Sequence, residues 1–215
     1  MRKYWIAILL LLVVAQAVIA ADKAPKDSNE LLLAKWDITI KDPNDPNKLL
    51  LAKWNAIVKL IKAKEVDPAV KIDILDRIAS PLFDFPLMGK LALGKTNWKK
   101  LTPGQQVKYT KLFTERLKAS YREKVKLFKD EKVSFKPAVK KKSTIQISMS
   151  LISSEKKIAI LYKLRKLKKS WLIYDVEIQG VSIVSTYRSQ FNDTLKHGTV
   201  TDLLAQLKKT AKSDR

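Results

Sequence analysis

The chain has 215 residues, room for one large domain or two small ones. It has no cysteine, which excludes a disulfide framework, thiolate metal sites, thiol catalysis and lipid attachment at a processed N-terminal Cys. Its net charge of +22 would suggest nucleic acid inside a cell, and anionic lipid surfaces or acidic proteins outside one.

Arg2 and Lys3 precede an unbroken apolar run from Ile6 to Val14, followed by the small residues Ala15, Ala17, Ala20 and Ala21. A positive start, a short apolar centre and an Ala-rich end describe a secretory signal peptide, here residues 1–20. The run is short of the roughly 20 apolar residues that a membrane span needs. Residues 21–48 read as a linker, with turn material at Asp42–Asn47. LLLAKW occurs at Leu31–Trp36 and again at Leu49–Trp54, a local duplication rather than a solenoid.

From Leu49 the period is helical, with Leu50, Trp54, Ile57, Val58 and Ile61 on one face. Asp67-Pro68 is an N-cap followed by Pro at the first turn, and Val70, Ile74 and Ile78 follow at spacing four until Ser80-Pro81. Residues 82–94 are apolar, broken by Pro86 and Gly89, and lack a clean period. Thr102-Pro103-Gly104-Gln105 is a capping box opening a long helix, with Tyr109, Phe113, Leu117, Tyr121, Val125 and Phe128 as its stripe.

The period then changes to two. One strand spans 132–139, with Val133, Phe135, Pro137 and Val139 on one face. Three more follow, with Ile145, Ile147, Met149 and Leu151, then Ile158, Ile160, Tyr162 and Leu164, then Leu172, Tyr174, Val176 and Ile178 on their inner faces. Short links imply an antiparallel meander with one face buried and one wet. After Gly180, Val184, Tyr187, Phe191 and Leu195 mark a helix ended by Gly198 at C′, and Val200, Leu203, Leu204 and Leu207 a last one. The domain spans 49–209 with a tail at 210–215. The fold class is α+β: a curved, four-stranded antiparallel sheet packed on one face by helices.

Gly89–Thr96 matches the phosphate-cradling pattern G-x-x-x-x-G-K-T, and Trp171–Asp175 resembles an apolar strand ending in a metal-binding Asp. The context argues against a nucleotide hydrolase: Pro86 disrupts the preceding strand, Pro103 shortens any following helix, and the strands form no β-α-β unit. His197, the only histidine, suits a helix C-terminus. Asp175 and Glu177 share a strand face and read as solvated carboxylates. The basic clusters Lys136–Lys142 and Lys163–Lys169 read as solvated strand ends and a turn. No catalytic residue, metal or cofactor is expected. The large apolar residues converge between sheet and helices, which from periodicity alone describes a packed core.

Several motifs point further. Leu93-Gly94, Trp98 and Leu101-Thr102-Pro103-x-Gln105 precede the long helix; Trp171-x-x-Tyr174-Asp175-Val176-x-x-Gln179-Gly180-Val181-Ser182 leads into Thr186-Tyr187-Arg188-Ser189-Gln190-Phe191 and Leu203–Lys208. From about residue 46 to 209 this closely resembles the MlaC family, the toluene-tolerance auxiliary components of an ABC transporter. Gln179 stands where the family usually has Glu, and Thr186 where it often has Asn.

The resemblance implies a nuclear-transport-factor-2-like fold with an apolar cavity, and a monomeric periplasmic carrier of phospholipid, which is cargo rather than cofactor. The partners it implies are an inner-membrane ABC transporter with its lipid-binding subunit and an outer-membrane lipoprotein–porin complex, the system maintaining outer-membrane asymmetry. A hopanoid-associated branch makes another apolar cargo the alternative. On this reading the tails meet Phe83, Phe85, Leu87, Met88, Leu91, Phe113, Leu117, Tyr121, Ile147, Met149, Leu151, Ile160, Tyr162, Tyr174, Val176, Val184, Tyr187 and Phe191, entering between the sheet face and residues 82–93.

Overall fold

The computed structural model describes residues 45–126, 132–152, 157–168 and 170–213. The expected leader, the first LLLAKW copy, the 153–156 link, Lys169 and Phe128 lie outside them. Helix α1 (Pro46–Lys62) starts three residues before the expected Leu49, because Asp45 accepts the N–H groups of Asn47 and Lys48 at 2.9 and 3.2 Å. Its buried residues are Leu50, Ala56, Ile57 and Leu60. Trp54, Val58 and Ile61 are only half-buried, because the helix serves two partners: Leu49 and Leu50 meet the sheet, while Ala56, Ile57 and Leu60 meet α2 (Pro68–Ala79). Asp67 caps α2 as expected, and Ile74 and Ile78 are buried.

The aperiodic segment folds as a 3-10 turn (Ser80–Leu82) and helix α3 (Phe85–Leu93). Pro86 falls in the first turn, where a missing N–H costs nothing, and Asp84 accepts from Leu87 N at 3.1 Å. Gly94, at φ +80°, ends α3 and begins the short α4 (Lys95–Lys100). Helix α5 (Pro103–Lys126) opens with both bonds of the capping box: Thr102 N to Gln105 Oε1 at 2.9 Å, and Gln105 N to Thr102 Oγ1 at 3.2 Å.

The sheet has six strands rather than four. The expected 132–139 strand is two pieces, β1 (Lys132–Phe135) and β2 (Val139–Lys141), both paired antiparallel to β3 (Thr144–Ile152). Between them Asn47 accepts from Ala138 N at 2.7 Å and donates to Lys136 O at 2.8 Å, fastening α1 to the break. Strands β4 (Lys157–Leu167), β5 (Ser170–Ile178) and β6 (Val181–Ser182) complete the antiparallel order.

A bulge in β5 alters the expected alternation. Lys163 pairs with Asp175 and Leu164 with Ile173, so Tyr174 is the inserted residue. Ile173, not Leu172, is then in register with Leu164 and is buried, and Tyr174 leaves the row that Val176 and Ile178 share with Tyr162 and Ile160. Phe83 forms a parallel bridge to Ile173, with Asp84 N donating to Ile173 O at 2.8 Å.

Helix α6 (Ile183–His197) is capped by Ser182 and ends at Gly198, whose φ of −147° is extended rather than left-handed. That glycine answers space instead: a Cβ would lie 3.1 Å from both Thr194 O and Asp202 Oδ2. Helix α7 (Val200–Ser213) follows, so helical elements extend past both 49 and 209. Its first turn holds a reciprocal cap, Thr199 N to Asp202 Oδ2 at 2.7 Å and Asp202 N to Thr199 Oγ1 at 3.3 Å.

Candidate functional site

The residues expected along one lining fall into separate clusters. Phe85, Met88, Phe113, Leu117, Val184 and Phe191 are buried in a bundle of α3, α5, α6 and α7, with Leu91 and Tyr187 packed on it. Phe113 is centred among Tyr187, Tyr109 and Phe191 at ring separations of 5.3, 5.9 and 6.1 Å. A Cβ on Gly89 would lie 3.2 Å from the Phe113 ring, and Tyr109 donates its hydroxyl to Gly89 O at 3.0 Å. These side chains interlock with one another; burial also raises the pKa of the Tyr109 hydroxyl. Tyr121 lies elsewhere, against the α1–α2 cluster, with its hydroxyl on Asp76.

The sheet face is different. Ile145, Ile147, Leu164, Ile173 and Val176 form its buried floor, closed by Leu50 and Leu82. Toward the other end of the strands Phe135, Ile160, Tyr162 and Ile178 are only partly buried, and in the same rows Val133, Leu151 and Ile158 are half-buried too. The register sets Val133 beside Leu151 and Leu151 beside Ile158, and runs Phe135, Met149, Ile160 and Ile178 across four strands. Met149 is 1 % exposed, with the Tyr162 hydroxyl 3.9 Å from its sulfur. Burial pushes the Tyr162 pKa up to about 12, so the hydroxyl stays neutral. The result is a pleated apolar floor, buried at one end and open at the other.

Of the expected residues, Ile147, Met149, Leu151, Ile160, Tyr162 and Val176 belong to this face, and Phe83 touches both clusters. Leu87 is half-buried at the start of α3. Residues 85–93 touch β5 but bury their side chains in the helical cluster; Leu49 and Leu50 of α1 and Leu82 lie against the floor. Alternation alone could have added Phe135, Ile145, Leu164 and Ile178. Nothing in the sequence marked the bulge that brings in Ile173. A surface cleft of about 360 Å³ lies away from this face, lined by Gly104, Gln105, Lys108, Thr201, Leu204, Ala205 and Lys208.

The polar motifs act as fasteners. Asp175 is buried rather than solvated: it accepts from Lys163 Nζ at 3.2 Å, Ser182 Oγ at 2.8 Å and Val184 N at 3.2 Å, tying β5 to the start of α6. Lys163 also pairs with Glu177; burial works against its charge, but the two carboxylates prevail and raise its pKa. Arg188 donates to Leu91 O through Nε and Nη2 at 2.8 and 2.6 Å, closing the end of α3. Gln179 accepts from Ala159 N at 3.1 Å and donates to Lys157 O at 3.2 Å, beside the positive-φ Gly180. The exposed His197 meets its own helix at Asp193 O. Gly89 sits inside α3 with Gly94 four residues after Lys90, so Gly89–Thr96 is two helices and no phosphate-cradling loop.

The family model described as MlaC protein matches residues 51–209. The chain belongs to the MlaC family. Its fold also matches a phospholipid-binding protein from Ralstonia solanacearum solved in complex with a phospholipid, at 23 % identity and a TM-score of 0.69, over 79 % of this chain and 98 % of that one. The MlaC match begins within α1 and ends within α7, so every strand, the bulge and the Asp175 fastening lie inside it.

Proposed function

We propose that this MlaC-family protein is a periplasmic phospholipid carrier, with tails held on the half-open apolar face and the headgroup in solvent. The observation that carries this is the row Phe135–Met149–Ile160–Ile178: apolar side chains in register across four strands, with three of them only partly buried. The phospholipid in the related Ralstonia structure supports the same reading.

Each exposed methylene costs about 0.8 kcal/mol in water, so two acyl chains of about thirty carbons together face a barrier on the order of 20 kcal/mol to crossing it bare. An apolar face that covers them removes most of that barrier without a catalytic residue or cofactor, so carriage needs no enzymatic step. A half-open site also lets the cargo leave. In this reading residues 1–20 are an export leader, 21–48 a linker, and a monomer passes lipid between an outer-membrane lipoprotein–porin complex and an inner-membrane ABC transporter.

Ile160→Asp tests it. The position is partly buried, so the folding cost is modest, while a carboxylate there would have to be desolvated under a tail, an effective penalty of several kcal/mol. Mass spectrometry of denatured wild-type protein should release co-purified phospholipid, and Ile160→Asp should hold at least tenfold less at unchanged circular dichroism. Equal loading of the two proteins would sink the assignment of this face.

A further inference from the structure

We infer that two lysine-bearing hairpin tips at the closed end of the sheet form a docking surface for an anionic lipid bilayer. The register brings them together. Lys141 pairs with Thr144, and Thr144 with Arg165, so the β2–β3 turn and the β4–β5 turn lie at the same end. Lys140, Lys141 and Lys142 occupy one tip, and Lys166 and Lys168 the other; all five are exposed. Strands β2 and β4 are two sheet spacings apart, about 10 Å, so one flat surface can meet both tips.

No described acidic residue pairs with these five lysines. The carboxylates on neighbouring elements are engaged elsewhere: Asp84 with Arg165, and Asp45 with Lys48 and the first N–H groups of α1. Lys142 and Lys168 both stand at φ +55°, turn positions where glycine is the less strained choice, yet lysine occupies each.

Three features favour a bilayer over an acidic protein. Val139 and Leu167 are 53 % and 42 % exposed among the lysines, apolar side chains that gain by entering a headgroup layer. Lys166 lies over the Trp171 ring at 6.0 Å, the basic–aromatic pairing suited to a membrane–water boundary. The free charges are also lysines, point charges on flexible stems that follow a fluid phosphate surface, whereas the one arginine of β4, which could fork onto a fixed carboxylate, is bound to Asp84. The surface is distinct from the apolar face, so it stands whether or not that face holds lipid.

The test is co-sedimentation of the chain without residues 1–20, none of which belongs to the described fold, with phosphatidylcholine vesicles with or without phosphatidylglycerol. Wild-type protein should bind only the anionic vesicles and release in salt. Reversing Lys140, Lys142, Lys166 and Lys168 to Glu should weaken binding at least a hundredfold, taking about fivefold per lysine removed. Reversing the exposed Lys99, Lys100, Lys108 and Lys111 changes net charge equally and should cost less than about tenfold, because none of them belongs to the two hairpin tips and exposed charges act over only about a screening length. Leu167→Asn should cost several-fold. No binding by wild-type protein, which would point to an acidic protein instead, or equal loss in the two charge variants would overturn the proposal, and undiminished binding by Leu167→Asn would overturn the part of it that seats Leu167 in the headgroup layer. All these positions are exposed, and circular dichroism of each variant confirms folding.

Discussion

Phe113→Ala, alone and with Gly89→Ala, tests whether the helical cluster is a closed core. Phe113 has no exposed surface and three aromatic neighbours within 6.1 Å. Truncating such a residue costs about 3–5 kcal/mol, a large fraction of the roughly 5–15 kcal/mol by which a native domain is stable. With a urea dependence of about 2 kcal/mol per molar, the unfolding midpoint should fall by about 2 M. Gly89→Ala alone gains about 1 kcal/mol of helix propensity but sets a Cβ 3.2 Å from Phe113 and 3.4 Å from Tyr109. Neither ring can give way: Phe113 is wedged by its neighbours, and Tyr109 is held by its bond to Gly89 O. We expect a net loss of about 1 kcal/mol in the wild-type background. In the Phe113→Ala background the clash with that ring disappears and the propensity gain returns, so the two changes should couple by about 2 kcal/mol. Urea melts of the four proteins give that coupling directly. A midpoint shift below about 0.5 M for Phe113→Ala would mean the cluster is loosely filled, and a hollow there would have to be reconsidered.

Three further outcomes follow from bonded polar groups and a fourth from the Gly89–Thr96 segment. Asp84→Ala should cost about 2–3 kcal/mol, because it removes the α3 cap and the partner of Arg165, whose side chain is 35 % exposed and can turn to water; thermal melts check this, with Arg165→Met expected to cost at least as much, since it strands the buried Asp84 carboxylate. Burial works to raise the Asp76 pKa, but the bonds from Arg122 and Tyr121 outweigh it and lower it, so its contribution is present above the unfolded carboxylate value and lost as pH falls through the folded one. Asp76→Asn should therefore be about 2–3 kcal/mol less stable than wild type at neutral pH, with the gap closing at the acid end of a pH series of urea melts. Gln179→Glu should cost about 1 kcal/mol above the carboxylate pKa, since a carboxylate cannot donate to Lys157 O, and the cost should shrink on acidification. Lys95→Ala, at an exposed position in α4, should change stability by less than about 0.5 kcal/mol and leave binding of a fluorescent ATP analogue as it is in wild type.

Much of the fold was legible because its signals are local. Asp67-Pro68 and Thr102-Pro103-Gly104-Gln105 carry their caps within four residues, and both helices start there. The alternation of Ile145, Ile147 and Met149 against Gln146, Ser148 and Ser150 marks β3 unambiguously, and all three apolar residues are buried. Two places were not legible, for different reasons. The apolar 82–94 segment shows no period because its helix is short, carries a proline in its first turn and is buried on several sides. Tyr174 and Leu172 lost their expected face because a bulge is a property of a strand pair, and only the pairing of β4 with β5 reveals it.

The candidate site divides along the same line. The amino-acid order determined which residues are apolar, at what period they recur, that one sheet face is greasy and the other polar, and that the chain resembles the MlaC family. Tertiary structure decided which greasy residues spend themselves on each other, as Phe113 and Phe191 do, and which stay half-open, as Ile160 and Ile178 do. Hydrophobicity measures how strongly a side chain avoids water; whether a neighbour already covers it depends on strands and helices distant in sequence, and on where a bulge or a glycine lets them approach.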